Sequence, residues 1–102
     1  MAARYLESKG YRIIARQWKH PIGEIDLVAE HGGELIFIEV KTRKSMAFGA
    51  PEAAVNGTKL RKLFMLAEAY CQGAHWHGKY RVDVVAILLQ PTLEIRHIIA
   101  VS

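Results

Sequence analysis

The chain has 102 residues, of which 51% are hydrophobic, and a formal net charge of +4. This length allows one domain with a single modest core, and the hydrophobic content argues against a disordered protein. The basic balance favours a polyanionic partner such as nucleic acid, although a generic basic surface explains it equally well.

The sequence lacks the patterns that mark membrane and secreted proteins. No apolar run reaches the length of a membrane span, and the first residues do not read as a signal peptide. Cys71 is the only cysteine, so no intrachain disulfide framework exists. We therefore expect a cytoplasmic protein without a membrane partner.

Hydrophobic periodicity and turn residues predict the order helix, three strands, helix, two strands. Gly10 is placed to end the first helix, and Asn56, Gly57 and Thr58 supply turn and N-cap chemistry before the second. The predicted helices cover residues 2–9 and 59–71, and the predicted strands cover residues 11–18, 24–30, 34–41, 80–89 and 93–101.

A tight hairpin is predicted between the second and third strands. Gly32 and Gly33 suit a two-residue loop, because both central positions of a type I′ turn need φ above zero. Paired residue numbers then sum to 65, which places Asp26 opposite Glu39 on one strand face, about 5 Å apart at Cβ. On the second strand, the alternation also predicts that Ile25 and Leu27 share one apolar face.

The same register places Glu24 opposite Lys41, and Lys41 lies on the face of Glu39, about 7 Å further along the strand. Two carboxylates this close repel unless a cation compensates them, and Mg²⁺ commonly uses one or two protein carboxylates plus phosphate oxygens. The alternative is a solvated strand face, on which Glu-x-Lys is a common pattern. Against it, Glu39 and Lys41 end the apolar run LIFIEVK, where an unpaired charge would be costly.

Basic residues cluster near this hairpin and at the start of the second helix. We predict nucleic-acid contacts for Arg43, Lys44, Lys59 and Lys62. The last two oppose the helix dipole and are expected on the side away from the apolar stripe, where simple solubility is an equal explanation. That stripe comprises Leu60, Leu63, Phe64, Ala67 and Cys71.

Two other groups of residues offer alternative interpretations. Cys71, His75 and His77 have spacings compatible with zinc, but no fourth ligand is evident, so a buried thiol beside a surface turn is favoured. Asp83, on the predicted strand 80–89, is interpreted as structural.

The segments GEIDLVA, LIFIEVKTR and YRVDVVAI, with the helix that opens at Lys59, resemble the YraN family of small uncharacterised bacterial proteins over nearly the whole chain. That family is similar to the PD-(D/E)xK nuclease superfamily, and particularly to archaeal Holliday junction resolvases. The resemblance implies an α/β restriction-endonuclease-like core, a mixed sheet flanked by helices in the order α-β-β-β-α-β, here with a final strand. Residues 1–102 would form one such domain, without the start of the first helix.

By this resemblance, Asp26 and Glu39 bind Mg²⁺ or Mn²⁺, Lys41 orients or activates water and stabilises phosphate charge, and Glu24 supports the site. The implied activity is metal-dependent hydrolysis of phosphodiester bonds in DNA, with branched DNA as one substrate class. One departure is that Met1 and Ala2 stand where the family usually has a Gly-Glu pair, whose acid supports the metal site in related nucleases.

Two alternatives to an active nuclease remain open. The first is a non-catalytic nucleic-acid-binding protein that retains the nuclease fold, which the missing helix acid favours. The second is a protein-interaction domain whose apolar final strands form a dimer edge. A homodimer is also an expectation of the resolvase hypothesis, since cutting a junction requires two active sites.

Overall fold

A mixed sheet with a helix on each face forms the protein. The structure is a computed structural model that describes residues 1–101, apart from the side chains of Phe48 and Glu52. No helix in this part of the chain is long and apolar enough to cross a membrane. In chain order the elements are α1 (Ala2–Ser8), β1 (Arg12–His20), β2 (Gly23–His31), β3 (Glu34–Arg43), two 3₁₀ helices (Met46–Phe48 and Pro51–Ala54), α2 (Gly57–Gly73), β4 (Tyr80–Leu88) and β5 (Glu94–Ile98).

Within residues 1–101 the five strands lie in the order β1-β2-β3-β4-β5. The β3–β4 pair is parallel and the other three pairs are antiparallel. The parallel pair requires a crossover, which α2 supplies. This is the α-β-β-β-α-β order with a final strand, so the predicted α/β class is confirmed, and the architecture is consistent with a restriction-endonuclease-like core.

The β2–β3 hairpin has the predicted register. Pairs run from His31 opposite Glu34 to Leu27 opposite Ile38, so paired numbers sum to 65. Gly32 has φ +58° within the connecting loop, and its neighbour is also at positive φ. The glycine pair therefore sets which side chains of the two strands meet.

The prediction that Ile25 and Leu27 share a face is wrong. Ile25 packs in the cluster beneath α2, whereas Leu27 packs in the cluster beneath α1. Val28 rejoins Ile25 on the α2 side, so strict alternation is broken between residues 25 and 28. The facing residue of β1, Gln17, has φ +51°, an irregular conformation at the same level of the sheet. The chain therefore changes face at Asp26.

The helix α2 begins at Gly57, two residues earlier than predicted, and Asn56 caps it by accepting a 3.1 Å hydrogen bond from the Lys59 amide. Its buried residues include Leu66, which the predicted apolar stripe omitted. The interior strand β4 is buried from residue 82 to 88, as expected for a strand covered on both faces.

Candidate active site

Asp26 lies where β2 and β3 separate. The β2–β3 ladder ends at Leu27 opposite Ile38, and Asp26 Oδ2 then accepts a 2.8 Å hydrogen bond from the Val40 amide. The Asp26 carboxylate thus accepts a hydrogen bond from an amide that would otherwise donate to a carbonyl of the facing strand. This fixes the Asp26 side chain between the diverging strands.

The Glu39 carboxyl lies beside the Asp26 side chain and interacts with it. It follows Leu35 and Phe37 on the face of β3 that packs beneath α2, and only 19% of its side chain is exposed. Burial, followed by the hydrogen bond and the negative charge of Asp26, raises the pKa of Glu39 to about 7, against the opposing effect of Lys41 and Lys59. The predicted close pair of carboxyl groups is therefore present.

Lys41 provides a fixed positive charge beside this pair. Its Nζ lies 3.9 Å from Glu39 Oε1, and 24% of the side chain is exposed. On the neighbouring strand, Val84 lies opposite Glu39 and Ala86 lies opposite Lys41, so the flanking surface is apolar. Such surroundings strengthen the interaction between these charges relative to water.

A cavity of about 190 Å³ opens between this end of the sheet and α2. Besides Leu63 and Leu66, the cavity is lined by five charged residues, all of them predicted from the sequence: Glu24, Glu39, Lys41, Lys59 and Lys62. Glu24 and Lys41 are not paired through the main chain as predicted, because the ladder stops before them, but both line this cavity.

Lys59 and Lys62 lie closer to the cavity around Glu39 than we expect from the position of the apolar stripe on α2. Both Lys59 and Lys62 line the cavity, because α2 crosses the sheet next to Gly23. A Cβ at Gly23 would lie 2.8 Å from Lys62 Cε. Gly23, the first residue of the GEID segment, therefore leaves room for Lys62. A glycine at this position is the sequence feature that could have indicated the contact.

The other two predicted basic residues do not reach the cavity. Arg43 is the last residue of β3, and its carbonyl accepts a hydrogen bond from the Leu89 amide. Lys44 follows it and is exposed. Neither side chain is among those lining the space around Glu39.

The sequence comparisons give the family. The sequence model of the Uncharacterised protein family UPF0102 matches residues 1–87. The chain belongs to the UPF0102 family. Since UPF0102 is the YraN family, the resemblance drawn from GEIDLVA and LIFIEVKTR is confirmed.

Individual UPF0102 proteins are similar over most of their length. One from Rhodococcus jostii (strain RHA1) is 42% identical over 100 residues, covering 92% of this chain and 84% of that protein. One from Arthrobacter sp. (strain FB24) is 51% identical over 89 residues, covering 86% and 75% respectively. One from Caldanaerobacter subterraneus subsp. tengcongensis is 39% identical over 104 residues, covering 97% and 85%.

In this UPF0102 chain Asp26 also borders the opposite face of the sheet. It lines a second cavity, of about 320 Å³, together with Ala2, Ala3 and Arg16. Asp26 and Glu39 therefore open onto different faces, which corrects the prediction that they share one; their carboxyl groups meet because Asp26 lies at the strand irregularity. At the start of α1, where the resemblance places a further acid, Met1, Ala2 and Ala3 line the cavity beside Asp26, and the first turn carries no acid.

The donor set fits a hard divalent cation with few protein ligands. No group of three or more His, Cys, Asp or Glu side chains is arranged to hold a metal in residues 1–101, side chains 48 and 52 excepted, and Cys71 is a buried free thiol. Asp26 and Glu39 therefore offer two carboxylates, which matches the habit of Mg²⁺ of keeping waters and phosphate oxygens as its other ligands. A divalent ion would also offset the burial and the neighbouring Asp26 charge, both of which raise the pKa of Glu39.

Asp83 belongs to a separate polar network beneath β5. Its fully buried carboxylate accepts hydrogen bonds from Arg81 Nε at 3.0 Å, from the Ala100 amide at 2.9 Å, and contacts His97 Nε2 at 2.7 Å. Since His97 is on β5 and Ala100 follows it, the network attaches the end of the described chain to β4. The site around Glu39 does not include it.

Proposed function

We propose that this protein is a divalent-metal-dependent nuclease that hydrolyses phosphodiester bonds in DNA. The observation that carries the proposal is the neighbouring carboxyl groups of Asp26 and Glu39, with Lys41 Nζ 3.9 Å from Glu39 Oε1. Two acids and one lysine on adjoining strands, beside a cavity lined by further lysines, are suited to a phosphate and a hard cation.

Each side chain has a chemical role in this proposal. Asp26 and Glu39 would hold Mg²⁺ or Mn²⁺, which when bound supplies Lewis-acid polarisation of the phosphate and a lower pKa for water. The Lys41 ammonium would lie against a non-bridging phosphate oxygen and stabilise the negative charge that grows there. The oxygen of water bonds to phosphorus, the bond from phosphorus to the leaving oxygen breaks, and a proton passes to that oxygen.

Lys59 and Lys62 would bind the phosphates on either side of the cleaved bond. Both lie on the first turns of α2 and line the cavity that contains Glu39. Contacts from lysine to phosphate position a strand without reading its sequence. We therefore expect cleavage with little sequence preference and binding that weakens steeply with salt.

The test is cleavage of labelled single-stranded, duplex, flap and four-way-junction DNA with Mg²⁺ or Mn²⁺. Asp26→Asn and Glu39→Gln should each lower the rate by at least about 100-fold while the fold is retained, as judged by circular dichroism. Glu7→Gln is the matched control, because Glu7 is an exposed acid on α1 outside the site. Cleavage that persists in both site variants would refute the proposal.

A second candidate is a non-catalytic DNA-binding protein with the same fold. It is favoured by the two-carboxylate donor set, and by the first turn of α1 beside Asp26, which carries no acid. It predicts salt-sensitive DNA binding that needs Lys59 and Lys62, with no cleavage in either divalent ion. Binding without cleavage in the panel above would select this candidate.

A further inference from the structure

An aromatic cavity lies between the edge strand β1 and the last turns of α2. It has a volume of about 300 Å³ and is lined by Trp18, Tyr70, Gly73 and Ala74. The strand order places β1 at one edge of the sheet formed by residues 1–101. A Cβ added at Gly73 would meet nothing within 4 Å, so the cavity is open on its α2 side.

The aromatic rings of this cavity are held by one another. The Trp18 and Tyr70 rings meet edge to face, with centroids 5.3 Å apart and planes at 77°. Trp18 also stacks on His20, with centroids 5.7 Å apart and planes at 28°. A ring held in this way presents a preformed flat surface, so little conformational entropy is lost when a planar ligand stacks on it.

The aromatic cavity and the candidate active site are separate cavities on the α2 side of the sheet. Lys62, Leu66 and Tyr70 follow one another at four-residue spacing, so they lie on one face of the helix. Lys62 lines the cavity at Glu39, and Tyr70, eight residues later, is about 12 Å further along the helix axis. On the sheet, His20, on which Trp18 stacks, is paired with Gly23, the residue beside Lys62, so the two cavities are close together.

We propose that the aromatic cavity binds an unpaired base of the DNA strand whose backbone lies at Asp26 and Glu39. The substrate class is then DNA with unpaired nucleotides beside the cleaved bond, in preference to continuous duplex. This inference rests on the proposed nuclease function and specifies its substrate.

Two physical arguments favour an unpaired base as the occupant. The faces of a base within a duplex are covered by its neighbours, whereas an unpaired base can be placed on aromatic side chains, and such stacking tolerates any sequence. The surroundings are cationic, because Lys59 and Lys62 line the neighbouring cavity and attract the strand backbone to this side of the sheet. Phosphates lie about 3.4 Å apart along a stacked strand, so the two cavities are within about four nucleotides of each other.

Tryptophan fluorescence reports directly on this cavity. The chain has two tryptophans, Trp18 and Trp76. Trp76 donates a hydrogen bond to the Lys79 carbonyl and does not line the aromatic cavity, so Trp76→Phe leaves Trp18 as the only reporter. In EDTA, where cleavage is blocked, oligothymidylate should quench Trp18 emission and a duplex of equal length should not. The complementary variant, Trp18→Phe, should show no quenching by either DNA.

Affinity measurements test the same contact without fluorescence. Trp18→Ala should weaken oligothymidylate binding by roughly 5- to 150-fold, the range expected for one stacked base, with duplex binding unchanged. Because Trp18 also packs against the core, Gly73→Leu provides a second variant that fills the cavity from its open side. Gln72→Leu is its matched control, since the neighbouring residue is exposed and does not line the cavity.

The outcomes separate this inference from the proposed function. Quenching of Trp18 by oligothymidylate, lost in Gly73→Leu but kept in Gln72→Leu, supports the base cavity whether or not the protein cleaves DNA. Metal-dependent cleavage of duplex at the same rate as single strand, unchanged in Trp18→Ala and Gly73→Leu, overturns the inference and leaves the nuclease standing. Equal quenching by duplex and single strand also overturns it.

Discussion

The raised pKa of Glu39 predicts how the free energy of unfolding depends on pH. Its pKa is about 7 in the folded protein and 4.5 as an ordinary carboxyl. Between these values the folded state keeps a proton that the unfolded chain has released, so the free energy of unfolding falls as pH rises. At about 1.4 kcal/mol for each pH unit, this contribution of about 3 kcal/mol is complete below pH 4.5 and is lost by about pH 7.

Glu39→Gln removes the titrating proton and keeps a donor for the hydrogen bond with Asp26. In EDTA at pH 8, the variant should therefore be about 3 kcal/mol more stable than the parent protein, with the two converging towards pH 4.5. The measurement is urea unfolding, followed by tryptophan fluorescence, at a series of pH values. Glu7→Gln is the control, because it removes an exposed carboxylate of α1 and should run parallel to the parent across the range.

The test is the difference in free energy of unfolding between Glu39→Gln and the parent protein at each pH, because the other titrating groups contribute equally to both proteins. If Glu39→Gln and the parent lose stability in parallel from pH 4.5 to pH 8, Glu39 is not protonated in the folded protein, and the raised pKa of Glu39 is refuted. If the variant is less stable at pH 8, the buried carboxylate is better compensated by Lys41 and Lys59 than its raised pKa implies.

Three further predictions concern the metal, the buried network and the first helix. Mn²⁺ should raise the thermal unfolding midpoint of the parent protein at pH 8, and Asp26→Asn should abolish that rise in calorimetry, since an ion that binds only the folded state stabilises it. Asp83→Ala should lower the free energy of unfolding in urea by about 3–5 kcal/mol, because it leaves the Arg81 charge without its buried partner; a loss below about 1 kcal/mol would contradict this. Ala2→Glu, which adds an acid to the cavity beside Asp26, should increase Mn²⁺ affinity in titration calorimetry and the rate of cleavage, and unchanged affinity would count against a metal there.

The hairpin could be predicted because its information is local. The Gly32–Gly33 pair fixes a two-residue loop, and the loop fixes every pair up to Leu27 and Ile38. The positions of Glu39 and Lys41 on the face beneath α2 follow from the alternation along β3. The helix cap at Asn56 could likewise be predicted, because its side chain accepts a hydrogen bond from an amide only three residues away.

The remaining features depend on contacts that the sequence pattern does not encode. The change of face at Asp26 arises from an irregularity shared with Gln17 on β1, and an alternating sequence gives no sign of it. Lys62 is exposed, as a helical wheel of α2 predicts, but the wheel does not show that Lys62 lines the cavity, because that depends on the packing of α2 against Gly23. Both failures occur at the candidate site, where local rules are expected to be broken in favour of function.

The same irregularity accounts for the chemistry. If the β2–β3 ladder continued past Leu27, the Val40 amide would pair with a strand carbonyl and the Asp26 carboxylate would be directed away from it. Because the strands separate, Asp26 replaces that carbonyl and is brought into contact with Glu39, at a cost in stability that appears in the raised pKa of Glu39. A purely structural carboxyl pair would gain from replacement by an amide, as Glu39→Gln should show. If Glu39→Gln is both more stable than the parent protein and unable to cleave DNA with a metal ion, the carboxyl pair is retained for function at a cost in stability.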